Sequence, residues 1–148
     1  ETARQARSAI HQHFVLATEH PEFQRDGMAR AREILLDQAL AYFREFARLR
    51  GNDAALRADV ADAHRRVGLI LALRGSAAEA QAEFQQALAI YHDLHARQPA
   101  NPALREAFAK VLGRLADLES NQGRLPSALE RQARAVELCA ALGNCVRR

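Results

Sequence analysis

The segment RGSAAEAQAEFQQALAIY, residues 74–91, contains the pattern that decides the fold. Gly75 is followed by Ala80, Phe84 and Ala87, at a spacing that fits a single helix. Ala80 and Ala87 are seven residues apart, so they lie on one face of that helix. Because small side chains allow two helix axes to come close, the spacing predicts a helix packed tightly against a neighbour.

The same pattern recurs along the chain at intervals of 48 residues. Glycines stand at positions 27, 75 and 123, and alanines at 39, 87 and 135. Residues 54–68 also overlay residues 102–116 at this offset. Matches this numerous in one register indicate an internal repeat. Within a unit, Gly68 is expected to meet Ala80 and Ala87 across the two helices, while Phe84 fills the gap towards the next pair.

Glycine and proline divide the chain into six predicted helices. We expect them near residues 3–18, 28–49, 54–74, 77–97, 102–122 and 126–142. Asp53, Ser76 and Asn101 are predicted N-caps, and Glu79 is spaced to complete a capping box with Ser76. The sequence therefore predicts one all-α domain over 1–148, with a helix pair at 1–50 and paired units at 53–98 and 101–144.

In their order and spacing, these residues resemble the tetratricopeptide repeat (TPR) family. The family's motif has a small residue followed by Gly, Ala, an aromatic residue and Ala. In the first unit these positions are matched, in order, by Gly68, Gly75, Ala80, Phe84 and Ala87. In the second unit they are matched by Ala116, Gly123, Ala128 and Ala135, with Gln132 at the aromatic position. The 48-residue period exceeds the family's roughly 34 residues, which predicts longer helices. The resemblance implies a right-handed superhelical stack of antiparallel helix pairs.

A second resemblance covers ILLDQALAYFREFARLRGNDAALRADVADAHRRVGLILALRG, residues 34–75. This stretch is similar to a segment behind the catalytic domain of large bacterial serine/threonine protein kinases, where long-helix TPR units often follow a membrane-spanning segment. The resemblance implies that the chain is a fragment of such a kinase, forming its non-catalytic tail. The fragment contains no Gly-rich loop, HRD or DFG motif, so we expect no kinase activity from it.

Composition narrows the classes of function. The chain has 21 basic and 18 acidic residues and a formal net charge of +3, and the two signs are interleaved along it. Interleaving predicts solvated helix faces and argues against nucleic-acid binding, which usually concentrates positive charge. Without a run of 18 apolar residues, no membrane contact is expected from this segment, and a cytoplasmic location is favoured for it even if the parent is membrane-anchored.

No constellation in the sequence predicts catalysis, a metal or a cofactor. His11 and His13 are two apart and point in different directions on a helix, whereas His92 and His95 share a face but lack a clear third ligand. Cys139 is predicted to be a small buried hydrophobic residue. A disulfide between Cys139 and Cys145, or a contribution to metal binding, is the alternative.

The TPR resemblance also implies a concave groove lined by the first helix of each pair. Carried over residue by residue, the groove positions are Asp62, Arg65, Arg66, Leu69, Ala72 and Leu73, then Lys110, Gly113, Arg114, Asp117, Ser120 and Asn121. Four cations against two acids favour an acidic or carboxylate-bearing peptide as the ligand. This set predicts a protein-interaction module. The alternatives are an ordinary solvated surface, or a homodimer or spacer role without a peptide ligand.

Overall fold

A computed structural model describes residues 2–25 and 27–140, and this part of the chain is all-α. Its six α-helices are α1 (Thr2–Glu19), α2 (Ala29–Arg50), α3 (Arg57–Leu73), α4 (Ala77–Arg97), α5 (Pro102–Asn121) and α6 (Leu125–Ala140). Short 3-10 helices cover Pro21–Gln24 and Ala54–Leu56. Each helix packs antiparallel to its neighbour in the chain. The prediction of an all-α fold with six helices is confirmed, although the predicted end of α6 at 142 lies outside the described residues.

The core is a continuous seam of small and branched side chains between successive helices. Ala39, Ala61, Ala80 and Ala87 are fully buried, and so is Ile70. Alanine at these positions lets the helices approach closely, and larger buried side chains such as Phe84, Leu36 and Leu115 fill the remaining space. Three predicted packing residues of the second unit, Ala116, Ala128 and Ala135, are buried as well. Gly75 and Gly123, also predicted to pack, are exposed because they form turns.

The position of the Phe84 ring differs from the prediction. A Cβ built on Gly68 would lie 2.7 Å from Cε1 and 2.8 Å from Cδ1 of Phe84, so the ring rests directly on the glycine. Phe84 is 1% exposed and fills the seam between α3 and α4. We expected Phe84 to fill the gap towards the next pair, but its ring covers Gly68, because a residue without a Cβ leaves room for it.

The turns after α3 and α5 have the same geometry, 48 residues apart. Gly75 has a φ of 80° and Gly123 a φ of 76°, in the left-handed region that glycine adopts without strain. After α3, Gly75 N donates to Ala72 O at 3.0 Å and the next amide donates to Leu71 O at 2.9 Å. After α5, the corresponding distances are 3.0 Å and 2.8 Å. These bonds satisfy carbonyls that the helix ends would leave without partners.

Two of the three predicted N-cap residues, Asn101 and Asp53, make the expected cap hydrogen bonds. Asn101 Oδ1 accepts from the amides of Ala103 and Leu104, at 3.1 and 3.3 Å. Asp53 Oδ1 accepts from Ala55 N at 3.0 Å, and its cap begins a 3-10 turn before α3. The capping box at Ser76 is wrong, since the Ser76 side chain makes no cap bond.

The reason for this difference lies in the preceding turn. A capping box needs the N-cap amide for the carboxylate three residues later. The amide of Ser76 already donates to Leu71 O. Glu79 is instead directed to α2, where its Oε2 lies 3.5 Å from Arg44 Nη2.

Candidate functional site

The predicted groove residues lie on α3 and α5, which approach each other in the fold. The α3 set is half-buried except for the exposed Leu73, and consists of Asp62, Arg65, Arg66, Leu69, Ala72 and Leu73. The α5 set is exposed except for the half-buried Gly113, and consists of Lys110, Gly113, Arg114, Asp117, Ser120 and Asn121. The structure thus brings the two sets to nearby helices but gives them different access to solvent.

On α3, Asp62 binds both predicted groove arginines. Its Oδ1 accepts from Arg65 Nε at 3.0 Å and Nη2 at 2.6 Å, and its Oδ2 accepts from Arg66 Nε at 2.6 Å. Burial alone would raise the pKa of this carboxyl, but the charges and hydrogen bonds of the two guanidinium groups outweigh it and lower the pKa. Arg65 and Arg66 therefore already have an anion within their own helix.

Arg66 is held further by aromatic rings from two other helices. Its guanidinium carbon lies 5.1 Å from the ring centroid of Phe14 on α1 and 5.3 Å from that of Phe43 on α2. The Arg66 side chain is only 11% exposed. Cation–π contacts in such a desolvated place contribute about 2 kcal/mol. Arg66 thus joins α3 to the first helix pair, and a role in ligand binding stays a prediction.

Tyr91 completes this polar cluster from α4 and was not among the predicted site residues. It is 2% exposed. Burial raises the pKa of its hydroxyl, the Asp62 carboxylate raises it further, and a hydrogen bond with Arg65 opposes the rise. The signal in the sequence was its position, because Tyr91 is seven residues after the buried Phe84 and so shares its face of the helix.

A second contact between α3 and α4 involves His64. Its Nδ1 lies 2.7 Å from Glu83 Oε2, and the two side chains are 22% and 25% exposed. His64 and Glu83 thus form a polar bridge between the two helices.

The predicted groove residues on α5 have the opposite character, because their cations are exposed and pair only with exposed acids. Lys110 Nζ lies 2.6 Å from Glu106 Oε1, and Arg114 Nη1 lies 3.9 Å from Asp117 Oδ2. The hydrogen bond from Lys110 lowers the pKa of Glu106. Exposed pairs of this kind contribute about 0–1 kcal/mol. An incoming carboxylate can therefore replace the acidic partner at little cost.

Gly113 lies beside these cations on α5 and has no packing role within the described residues. A Cβ added there would meet nothing within 4 Å. Gly113 contrasts with Gly68, where the same atom would overlap the Phe84 ring. The α5 backbone is therefore partly accessible at Gly113, beside Lys110 and Arg114.

Behind the predicted groove residues of α5, Glu119 forms an ion pair that sequence reasoning missed. Glu119 is 3% exposed, and its two carboxylate oxygens lie 2.9 and 3.0 Å from Arg131 Nε on α6. In the overlay of the two units, its place is taken by the apolar Leu71. A lone glutamate near a helix end looks like a solvated residue in sequence, and only the packing of α6 buries it.

Histidines and cysteines form no metal centre in the described residues, where no group of three or more His, Cys, Asp or Glu side chains could hold an ion. His92 and His95 pack on Phe108, with ring centroids 6.2 and 5.7 Å away. Burial lowers the pKa of His95, and the nearby Arg105 and Arg134 lower it further. Cys139 is 7% exposed, so its predicted burial is confirmed, but it is disulfide-bonded, which was the alternative to a simple hydrophobic residue. Cys145 lies outside the described residues.

The α-helices give no sign of a membrane span. Across residues 2–25 and 27–140, none has both the length and the apolar character to cross a bilayer. Comparison of the chain with protein-family models, with curated proteins and with solved structures found no match.

Proposed function

We propose that the chain is a non-catalytic protein–protein interaction module built from TPR-like helix pairs. In this proposal α1–α2, α3–α4 and α5–α6 are the pairs, and they stack as a right-handed superhelix. The turns at Gly75 and Gly123 support a common unit, since their positive φ values and hydrogen bonds recur at a spacing of 48 residues. Stacked pairs of this kind present long surfaces suited to extended partners.

The observation that carries the proposal is Gly113. A glycine inside a helix is about 1 kcal/mol less favourable than alanine. Gly68 offsets that cost by accepting the Phe84 ring, but around Gly113 there is open space. A partner whose main chain comes close to α5 would explain why residue 113 is glycine, because a methyl group there would keep the partner away from the α5 backbone.

The flanking side chains define the class of ligand as an acidic or carboxylate-bearing peptide. Lys110 and Arg114 are 60% and 58% exposed and lie next to Gly113 on α5. On binding, the ligand's carboxylates would replace Glu106 and Asp117, and Arg114 can bind one of them through two parallel hydrogen bonds. Asn121 is exposed further along α5.

On α3, the proposal assigns different roles to the predicted groove residues. Leu73 is 65% exposed and offers apolar contact to the ligand. Arg65 and Arg66, both bound to Asp62, would fix the orientation of α3 instead of contacting the ligand.

An array of peptides with acidic C-termini, followed by fluorescence anisotropy on the hits, tests the proposal. Lys110→Ala and Arg114→Ala should each weaken binding at least fivefold, and Gly113→Ala should weaken it while leaving the protein folded. Arg97→Ala is the matched control, because Arg97 is 74% exposed on α4 and pairs with Asp93 at the i,i+4 spacing, as Lys110 does with Glu106. Full binding by the double variant of Lys110 and Arg114 would contradict the proposal.

The kinase resemblance extends the proposal to the parent protein, in which this module would be the non-catalytic tail of a serine/threonine kinase. Sequencing the open reading frame upstream of Glu1 tests this part. A kinase domain with the Gly-rich loop, HRD and DFG motifs is expected there, and an unrelated upstream domain would overturn it.

A further inference from the structure

Four basic side chains from three consecutive helices lie close together beside the Phe108 ring. His92 and His95 on α4 have ring centroids 6.2 and 5.7 Å from that of Phe108. Arg105 is three residues before Phe108 on α5, so the two side chains are neighbours on that helix. Arg134 on α6 is near enough to act on the charge of His95. We call His92, His95, Arg105 and Arg134 the basic cluster.

The positive charge of the basic cluster is only partly neutralised. Burial lowers the pKa of His95 most, Arg105, Arg134 and His92 lower it further, and no carboxylate is among the groups that act on it. Of the four arginines on α5 and α6, Arg105 alone has no carboxylate partner in the described residues. Like charges gathered on one side of a fold repel each other and attract anions. The cluster therefore favours a negatively charged ligand.

Hydrogen-bond donors in the basic cluster are free for such a ligand. Arg105 Nε donates to Pro99 O at 2.6 Å, and its two terminal nitrogens have no partner in the described residues. His95 Nδ1 is buried and has no partner there either, so a proton on it would be a buried donor without an acceptor. The neutral His95 ring therefore carries its proton on Nε2. Because His92 is exposed and both His95 and Arg105 are half-buried, a ligand can reach them from solvent.

The basic cluster belongs neither to the repeat nor to the predicted groove. Counting back 48 residues from His92, His95 and Phe108 gives Arg44, Ala47 and Val60, so no equivalent cluster exists in the preceding unit. On α5, Arg105 and Arg114 are nine residues apart, which places them about 180° apart around the helix. The cluster thus lies on the side of α5 opposite the groove cation Arg114.

We propose that the basic cluster is a binding site for a phosphate group, carried by a phosphate monoester or present as inorganic phosphate. The donors come from separate helices, and a phosphate offers at least three acceptor oxygens in different directions, whereas a carboxylate offers two in one plane. Arg105 binds two phosphate oxygens through its terminal nitrogens, and His92 and His95 donate to the others. Arg134, whose Nη1 is 2.9 Å from the exposed Glu137, adds positive charge. This site uses none of the residues of the proposed peptide groove.

Proton NMR of the histidine rings tests the proposal on the natural chain. The variants His92→Gln and His95→Gln assign the two ring signals. Sodium phosphate is then added at neutral pH, with sodium chloride and sodium acetate at equal ionic strength as the reference titrations. We expect both signals to shift saturably with phosphate alone. The pKa of His95 should also rise, because a bound anion stabilises the protonated ring.

Three variants make the result specific to the basic cluster. Arg105→Ala should weaken phosphate binding about tenfold, because it removes two charge-assisted hydrogen bonds. His92→Ala should weaken it as well, and because His92 is exposed this variant keeps the packing of α4 intact. Arg114→Ala is the matched control, since Arg114 is a 58% exposed arginine on the opposite side of the same helix. It should leave phosphate binding unchanged even where it abolishes binding of an acidic peptide.

A short peptide with one phosphoserine, compared with its unphosphorylated form and with inorganic phosphate, identifies the source of the phosphate. Tighter binding of the phosphopeptide supports a phosphorylated partner, and tighter binding of inorganic phosphate supports the free ion. Shifts that do not saturate, or that chloride and acetate reproduce at equal ionic strength, would overturn the proposal. Phosphate binding that keeps its full strength in both Arg105→Ala and His92→Ala would also overturn it.

Discussion

Replacing Gly68 by alanine tests whether the fold requires a glycine at this position. A methyl group at Gly68 would lie 2.7 Å from Phe84 Cε1, 2.8 Å from Cδ1 and 3.1 Å from Cζ. All three are inside van der Waals contact, and the ring is 1% exposed, so it cannot swing into solvent. Overpacking of this kind costs about 1–3 kcal/mol. The gain in helix propensity offsets about 1 kcal/mol, leaving the free energy of unfolding reduced by about 0–2 kcal/mol.

Gly113→Ala provides the matched comparison, because it gives the same propensity gain with nothing within 4 Å of the new methyl group. Its free energy of unfolding should rise by about 1 kcal/mol. The two variants should therefore differ by the overpacking cost alone, about 1–3 kcal/mol. Urea denaturation followed by far-UV circular dichroism measures both, since the chain has no tryptophan for fluorescence.

The pair Gly68→Ala and Phe84→Leu gives a further check, because the smaller side chain makes room for the new methyl group. The double variant should be more stable than the sum of the two single effects predicts, by about 0.5–3 kcal/mol. If Gly68→Ala is stabilised as much as Gly113→Ala, the Phe84 ring does not rest on Gly68 and our account of the α3–α4 seam is wrong.

Three further changes have effects that the structure specifies. Gly123→Ala should lower the free energy of unfolding, measured by urea denaturation, by about 1 kcal/mol, because a φ of 76° is unfavourable for a residue with a Cβ. Gly123→Asn should lower it less, and equal losses for the Ala and Asn variants would exclude this reason. Glu119→Ala should lower the free energy of unfolding by about 1–3 kcal/mol, because it leaves Arg131 without its carboxylate partner. Glu119→Leu, with the residue type found 48 residues earlier at Leu71, should lower it less in the same assay. A larger loss for Leu than for Ala would contradict this account of the buried ion pair. The pKa of Asp62 is lowered in the folded state, so its stabilisation is present above about pH 3.9 and disappears as the pH falls through the folded-state pKa. The difference in unfolding free energy between the natural chain and Asp62→Asn should therefore be constant near neutral pH and shrink in acid. A difference that stays constant down to about pH 2 would count against the cluster of Asp62, Arg65 and Arg66.

Helix number, order and turn geometry were predictable because their causes are local. The six helices follow from apolar spacing between glycine and proline, and both are properties of adjacent residues. Gly75 and Gly123 were identified as turn residues, and their left-handed φ values explain why glycine stands there. The ion pairs of Asp62 were also within reach, since Arg65 and Arg66 follow it at the i,i+3 and i,i+4 spacing of helix neighbours. That spacing indicates that the predicted groove cations Arg65 and Arg66 are bound to Asp62 and are not free to contact a ligand.

What the sequence determined by itself is the all-α architecture and the alanine seams, because helix formation and small-residue spacing are set within a few turns of chain. Only the tertiary structure decided which polar side chains are buried and which stay available. The Glu119–Arg131 pair joins two helices, and Arg66 meets Phe14 and Phe43 from two others, so no short stretch of sequence encodes either contact. The exposed faces of α5 and α6 are likewise defined by the absence of a covering helix in the described residues. The physical reason is that burial depends on how helices distant in sequence come together, whereas periodicity is a property of each helix alone.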